Sequence, residues 1–179
     1  MRLRRALLVL TVLALPLVAA ACGQKAQDAD EPSGTWKVRV IDASFPGRQR
    51  LADEVQLKIT IKNEDTRALP DLAVTVDGFD MRSESPDLSD PNRPVWVVEQ
   101  APANSTSAFT NTWTAGSLPA GQTKTLVWKV SAVRSGTYTL RFRVNAGLNG
   151  KAKASEDGKV PAGSFIARVS DKVHPVNVD

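Results

Sequence analysis

The chain is poor in the side chains that most often form cross-links or metal sites. Its 179 residues include one cysteine and one histidine, so no disulfide within the chain can hold the fold together. Copper and zinc sites need several His, Cys or Met ligands. Beyond the first 21 residues the only histidine and methionine are His174 and Met81, which nearly excludes such a site. Stability must therefore come from a packed core.

Catalytic motifs are missing as well. His174 lies between Val173 and Pro175, and no Gly-x-Ser-x-Gly elbow accompanies it, so the nucleophile and base of a hydrolase are not visible. We interpret His174 as a structural residue of a terminal strand. The sequence predicts a non-enzymatic protein, with no catalytic residues, no metal site and no cofactor.

Most of the chain also lacks an excess of either charge. The full sequence has 23 Lys and Arg against 19 Asp and Glu. Three arginines and no acids lie in the first 21 residues, which leaves 20 basic and 19 acidic side chains in the remainder. The high isoelectric point is therefore a property of the N-terminal segment, and it does not indicate nucleic-acid binding.

The N-terminal segment, residues 1–21, has the three parts of a bacterial export signal. Arg2, Arg4 and Arg5 precede an apolar run over residues 6–18, and three alanines follow it. The run is shorter than the roughly 20 apolar residues that span a bilayer. Pro16 and the small residues beyond it favour cleavage over a retained membrane helix.

Cys22 follows this signal directly. Residues 18–22, VAAAC, resemble the lipobox of bacterial lipoproteins, in which the cysteine sulfur takes a diacylglyceryl group, with Ala19 where leucine is usual. Ala19-x-Ala21 also fits ordinary signal cleavage, which would leave an exposed thiol. Because lipidation consumes the lone thiol and two acyl chains anchor stably, we predict lipidation of Cys22 and a cell-membrane location on the extracytoplasmic face.

Three segments follow: a signal peptide over 1–21, the lipidated cysteine with a flexible tether over 22–34, and a β-sandwich domain over 35–179. The tether sequence after the cysteine, GQKAQDADEPSG, has no large apolar side chain and cannot bury enough surface to order itself. The remaining 145 residues are enough to build one core.

Apolar and polar residues alternate through the domain, and no window shows a sustained helical period. Such alternation is typical of strands with one buried face. The clearest predicted strands are TWKVRV (35–40), EVQLKITIKN (54–63), DLAVTVDGF (71–79), KTLVWKVS (124–131) and TYTLRFRVN (137–145). Weaker candidates are VWVVEQ (95–100), FTNTWTA (109–115), GKAKA (150–154), SFIARV (164–169) and VHPVNV (173–178).

Turn signals separate these strands, and Asn149-Gly150 between two alternating runs predicts a hairpin. Many short strands with turns at this spacing predict an all-β fold. We expect an antiparallel immunoglobulin-like β-sandwich.

Three stretches are similar to bacterial surface-exposed immunoglobulin-like modules of the CARDB type: VQLKITIKNEDTRALPDLAVTVDGF, LPAGQTKTLVWKV and SGTYTLRFRV. The similarity lies in an Asn-led turn after a strand, a Leu-x-Ala/Gly-Gly turn before another, and a Gly-led strand with an aromatic residue. It covers roughly residues 55–144 and implies a sandwich fold and an extracytoplasmic location. The chain is also similar to lipoproteins of high-GC Gram-positive bacteria.

Lys37, Arg39, Lys58 and Lys62 form the first candidate surface. They point away from the predicted core, and they would make one basic patch if their two strands pair. Such a patch could meet anionic wall polymers or lipid headgroups, although any half-buried strand needs charges on its solvent face.

Two further candidates lie in the middle of the chain. The stretch 77–94 is rich in calcium-type ligands, but their spacing fits no D-x-D-x-D-G loop, and Arg82 and Arg93 can balance the charge. Its acids are Asp77, Asp80, Glu84, Asp87 and Asp90. Of the four tryptophans, Trp36 and Trp128 have the inward phase, whereas Trp96 and Trp113 could form a carbohydrate-stacking surface.

Together these features predict a membrane-anchored cell-envelope lipoprotein whose sandwich is a binding or scaffolding module. Its partners would be the membrane, through Cys22, and an envelope protein or anionic wall polymer, with no nucleic acid. The alternative is an accessory subunit of an envelope transport or secretion system.

Overall fold

The alternating segments form the strands of a β-sandwich. A computed structural model describes residues 30–79 and 94–172, and these residues contain eleven strands. The strands are β1 (Gly34–Ser44), β2 (Arg48–Arg50), β3 (Glu54–Asn63), β4 (Ala73–Asp77), β5 (Trp96–Gln100), β6 (Thr106–Phe109), β7 (Thr112–Thr114), β8 (Thr123–Ala132), β9 (Gly136–Asn145), β10 (Ala152–Ser155) and β11 (Ala162–Ser170). In this part of the chain there is no helix long and apolar enough to cross a membrane.

The strands make two sheets. One has five strands in the order β10-β1-β3-β8-β5, and the other has six in the order β2-β11-β9-β4-β7-β6. Neighbouring strands are antiparallel except for two short edge pairs, β10 with β1 and β2 with β11, which are parallel. The predicted all-β immunoglobulin-like sandwich is confirmed.

The core lies between the sheets and uses the inward phase that the alternation predicts. Leu57 lies opposite Trp128 and Ile59 opposite Leu126 in the β3–β8 pair, and all four side chains are fully buried. In the facing sheet Leu140 and Val144 of β9 are buried in the same way. Burying one large apolar side chain contributes about 1.5–3 kcal/mol, so these strands account for much of the stability.

All four tryptophans are part of this core. Trp96 and Trp128 are fully buried, and Trp113 is 7% exposed. Trp113 packs edge-to-face on Trp128 with ring centroids 5.5 Å apart, and Trp96 donates its indole N–H to Gln49 Oε1 at 2.8 Å. The predicted stacking surface at Trp96 and Trp113 is therefore wrong, because both rings fill the space between the sheets.

The hairpin predicted at Asn149-Gly150 is also wrong. β9 belongs to the six-stranded sheet, whereas β10 pairs with β1 in the five-stranded one. Gly150 has the positive φ that the turn requires (83°), but Asn149 does not share it, so this is no type I′ turn. Residues 146–151 cross from one sheet to the other, where the Gly34 N–H donates to the Lys151 carbonyl at 3.1 Å.

Other differences are local. The candidate strand FTNTWTA is divided by Asn111, whose φ of 60° makes the turn between β6 and β7. The three-residue strand β2 has no counterpart in the prediction. The export signal, Cys22, His174, the strand VHPVNV and most of the stretch 77–94 lie outside the described residues.

Candidate functional site

The lysine face is the outer surface of the five-stranded sheet around Lys37, Arg39, Lys58 and Lys62. β1 and β3 pair antiparallel, with Arg39 opposite Lys62 and Ser44 opposite Lys58. The four cations therefore share one face, as the alternation predicts.

Carboxylates on the same face neutralise much of this charge. Glu64 lies 2.8 Å from Arg39 Nε and 3.8 Å from Lys37 Nζ, and Asp42 lies 3.6 Å from Lys58 Nζ. The hydrogen bond and charge of Glu64 raise the pKa of Arg39, and the hydrogen bond from Arg39 lowers the pKa of Glu64. Three of the four cations of the lysine face therefore have a carboxylate partner, and the fourth, Lys62, lies opposite Arg39.

Glu64 reaches this face because the turn after β3 is built on Asn63. Asn63 is fully buried, and its Nδ2 donates to the carbonyls of Arg67 and Leu118 at 2.9 and 2.8 Å. Its Oδ1 accepts the N–H of Asp65 at 2.9 Å. The side-chain hydrogen bond from Arg67, helped by the Lys37 N–H, lowers the pKa of Asp65 from 3.8 to about 2.

The outer surface of the six-stranded sheet carries a different cluster, which we name the arginine cleft. It is an open cleft of about 410 Å³. β2 runs parallel to β11, and Arg48 lies opposite Arg168 in their register. Arg48, Gln49, Arg50, Asp53, Arg168 and Ser170 line the cleft.

Alternation explains the position of the arginines. Gln49 and Val169 point inward and are buried, so Arg48 and Arg168 point to solvent. The Gln49 side chain fixes β2 from inside, because it accepts the Trp96 indole N–H and donates to the Pro46 carbonyl at 2.8 Å. The backbone under the cleft is held by Arg168 N–H to the Gly47 carbonyl and by Leu51 N–H to the Ser170 carbonyl.

Fewer of the cations of the cleft have a carboxylate partner than those of the lysine face. Among the described residues that line the cleft, Asp53 is the one acid, beside three arginines. Within the described parts of the chain, no carboxylate lies within 4 Å of the guanidinium nitrogens of Arg48 or Arg168. Like charges directly opposite each other on adjacent strands are destabilising.

Glu31 lies at the end of the sandwich opposite the arginine cleft. It belongs to the predicted tether, yet its carboxylate accepts the N–H groups of Leu148, Asn149 and Ala152 at 2.6, 2.8 and 2.6 Å. Burial alone would raise the pKa of Glu31, but these backbone hydrogen bonds outweigh it and the pKa is lowered. Gly147 allows this contact, since a side chain there would collide with the carboxyl group.

The register places Glu31 and the arginine cleft at opposite ends of the strands. β9 ends at Asn145, close to the loop that binds Glu31, and begins at Gly136. Thr137, at that beginning, lies opposite Arg168. β1 likewise starts next to β10 at the Glu31 end and leads to β2 at the other. At about 3.3 Å per residue, a ten-residue strand separates the two ends by about 30 Å.

The acidic stretch 77–94 is described only at its ends. Asp77 forms an ion pair with Arg143 at 2.9 Å, so this carboxylate already has a cation. The other acids lie outside the described residues, and the calcium hypothesis stays a prediction. Among residues 30–79 and 94–172, no group of three His, Cys, Asp or Glu side chains is placed to hold a metal ion.

The arginine cleft is not predicted from the sequence, because the pattern that encodes it is short. Arg48-Gln49-Arg50 is a charged–polar–charged triplet without an apolar residue, so it does not show the alternation of a buried strand. Arg168 lies in the predicted strand SFIARV, but only the fold brings it beside Arg48.

Comparison with known proteins gives no family. No family model matches the chain, and no curated protein matches it. Similar solved structures include the CARDB domain of the PF1109 protein from Pyrococcus furiosus, with 14% identity, 77% of this chain and 93% of that chain covered, and a TM-score of 0.43. CARDB domains are thus among the structures to which this chain is similar, as the sequence indicates.

Two other similar structures belong to proteins of different kinds. E. coli alpha-2-macroglobulin shows 15% identity, with 75% of this chain but 7% of that one covered, and a TM-score of 0.44. A PapD-like domain of human CEP192 shows 11% identity over 94% of this chain and 100% of that one, with a TM-score of 0.44. At these values the likeness concerns the sandwich alone and carries no information on binding or activity.

Proposed function

We propose that the chain is a cell-envelope lipoprotein, anchored through Cys22 to the extracytoplasmic face of the membrane, with a non-enzymatic sandwich that binds a partner in the envelope. The observation that supports this most is the position of the only cysteine, directly after an export signal and nine residues before Glu31. Because Glu31 is hydrogen-bonded to the domain, the anchor and the fold are close neighbours along the chain.

The distance between lipid and domain follows from this arrangement. Nine steps of fully extended chain span about 30 Å at most. An acylated Cys22 would therefore hold the Glu31 end of the sandwich within roughly that distance of the membrane surface. The opposite end of the domain, where the arginine cleft lies, would be presented to the space beyond.

The binding role is supported by the kind of surface that the sandwich offers. The arginine cleft is open and charged, and its backbone is fixed by β-ladder hydrogen bonds. A rigid core that presents charged side chains suits recognition.

Lipid attachment can be tested directly on the protein made in a bacterial host. We expect the N-terminal peptide of the purified chain to begin at Cys22 and to carry the mass of a diacylglyceryl group, and we expect the chain to incorporate a labelled fatty acid. Cys22→Ala should abolish the label. Ala19→Leu, which introduces the residue usual at this position, should keep the label or increase it.

An unmodified N-terminal peptide that starts at Cys22 would contradict the anchor and would favour ordinary signal cleavage. Fatty-acid label that persists in Cys22→Ala would show attachment elsewhere and would also contradict it. Because both measurements read the covalent modification, they do not depend on whether an uncleaved precursor stays in the membrane fraction.

A further inference from the structure

We propose that the arginine cleft binds the phosphate groups of an anionic polymer located outside the membrane. The recognition of phosphate is argued from the side chains of the cleft. The location of the polymer rests on the proposed function, because it depends on which end of the domain is anchored.

The geometry suits an oxyanion. Arg48 and Arg168 project from the same face of two neighbouring strands, which lie about 4.8 Å apart. Arg50 projects from the same strand two residues after Arg48, opposite Ser170. A guanidinium offers paired N–H groups that match the oxygens of a phosphate, and such charge-assisted bonds are stronger than neutral ones. Two adjacent forks can therefore hold one phosphate or two consecutive ones.

The electrostatics favour the same ligand class. Arg48 and Arg168 repel each other across the β2–β11 pair, and no described carboxylate within 4 Å relieves this repulsion. A bound anion would remove it. On the lysine face Arg39 also lies opposite Lys62, but there Glu64 pairs with Arg39 and Asp42 pairs with Lys58.

The position of the cleft favours a polymer over the headgroups of the anchoring membrane. The cleft is about 30 Å from the Glu31 end, measured along the strands at 3.3 Å per residue. Glu31 fixes the end of the domain at which the N-terminal segment joins it. With the anchor at Cys22, the arginines face away from the lipid, where polymers with repeated phosphates can reach them.

Binding of a fluorescent polyphosphate to the full chain, purified in a neutral detergent, tests the proposal. We expect saturable binding that weakens with added salt. The double variant Arg48→Ser with Arg168→Ser should lose about tenfold or more in affinity, in line with the loss of two charge-assisted contacts. The matched control, Lys58→Ser with Lys62→Ser on the lysine face, should stay within about twofold, because surface ion pairs contribute little.

Two competitors test the ligand class and its source. Polyglutamate of similar length should compete poorly, since it lacks phosphate. Phosphatidylglycerol mixed into the detergent micelles should displace the probe no better than phosphatidylcholine. Tryptophan emission should be unchanged in both double variants, because the four substituted side chains are exposed or half-buried on outer faces. The midpoint of thermal unfolding should not fall in the arginine variant, which loses the Arg48–Arg168 repulsion, and should change little in the lysine variant.

The proposal is overturned if the arginine variant binds polyphosphate as the wild type does, if the lysine-face control loses as much affinity, or if polyglutamate competes equally. Displacement by phosphatidylglycerol alone would identify a lipid headgroup and overturn the polymer. Because binding is measured in solution and lipid attachment by mass, either proposal can fail while the other stands.

Discussion

The two outer faces of the sandwich carry cations in the same way but differ in what surrounds them. On the lysine face, Lys37 and Arg39 share Glu64, and Lys58 pairs with Asp42. At the arginine cleft, Arg48 lies opposite Arg168, and Asp53 is the one acid among the described lining residues. The difference shows that outward cations do not by themselves make a cationic surface.

The difference between the lysine face and the arginine cleft arises from the loops beside them. Glu64 belongs to the turn that follows β3, and buried hydrogen bonds of Asn63 hold that turn over the sheet. The short connections around β2 bring a single acid, Asp53, whose Oδ2 accepts the Arg50 N–H at 3.2 Å. Substitutions at four positions test the difference between the two faces.

Asn63→Ala should have the largest effect, because it removes the support of the loop that neutralises the lysine face. The variant removes the side-chain hydrogen bonds to the carbonyls of Arg67 and Leu118 and from the N–H of Asp65, and the Leu118 carbonyl keeps only the N–H of Leu69. Since Asn63 is fully buried, we expect the free energy of unfolding to fall by about 2–4 kcal/mol. Urea denaturation followed by tryptophan fluorescence would measure it.

Asn63→Asp provides the second test of this loop. A carboxylate can accept the Asp65 N–H but cannot donate to the two carbonyls, so this variant should be at least as unstable as Asn63→Ala. Near-wild-type stability of either variant would contradict the role given to the Asn63 side chain.

How far the sequence predicts the fold depends on the length of each pattern. The strands β3, β8 and β9 have ten residues each, with several inward apolar side chains at alternate positions. These strands and their buried faces are predicted correctly. The order of the strands in the two sheets is not encoded in a local period. The segment after Asn145 therefore looks like half of a hairpin but crosses to β1, where Glu31 binds its N–H groups.

The candidate sites show the same limit. The alternation predicts correctly that Lys58 and Lys62 point outward, but not that Asp42 and Glu64 would lie beside the cations of that face. Trp96 lies next to an irregular stretch and gives no sign that Gln49, 47 positions away, provides an acceptor for its indole. Contacts of this kind depend on tertiary pairing, which one sequence does not display.

Arg168→Glu should give the arginine cleft the kind of ion pair that the lysine face has. The new carboxylate would lie opposite Arg48, and cross-strand pairs of opposite charge contribute up to about 1 kcal/mol. We expect a modest rise in the midpoint of thermal unfolding at low salt, which disappears at high salt, and a loss of polyphosphate binding. Arg141→Glu is the control, because that carboxylate would lie opposite Asp77 and should destabilise. A fall in stability with Arg168→Glu would contradict the repulsion.

Glu64→Gln should make the lysine face more like the arginine cleft. Glutamine has nearly the same shape, but it lacks the charge that Lys37 and Arg39 share. The lysine face should then attract anions, and polyphosphate affinity should rise by on the order of threefold, the size of a surface ion-pair effect. This gain should persist in the background of Arg48→Ser with Arg168→Ser. A gain that vanishes in that background would place the binding in the cleft and not on the lysine face.

Asp65→Asn should have the smallest effect, a loss of stability that is present near neutral pH and disappears in acid. The side-chain hydrogen bond from Arg67 and the N–H of Lys37 lower the pKa of Asp65 from 3.8 to about 2. A carboxylate with a lowered folded-state pKa stabilises the fold fully above its unfolded pKa, near 4, and this contribution disappears as the pH falls through about 2. Wild type should therefore lose more stability between about pH 4 and pH 2 than Asp65→Asn does, while Glu31 contributes equally in both. Thermal unfolding at both pH values measures the difference, and parallel curves for the two proteins would show that Asp65 does not control this end of the lysine face.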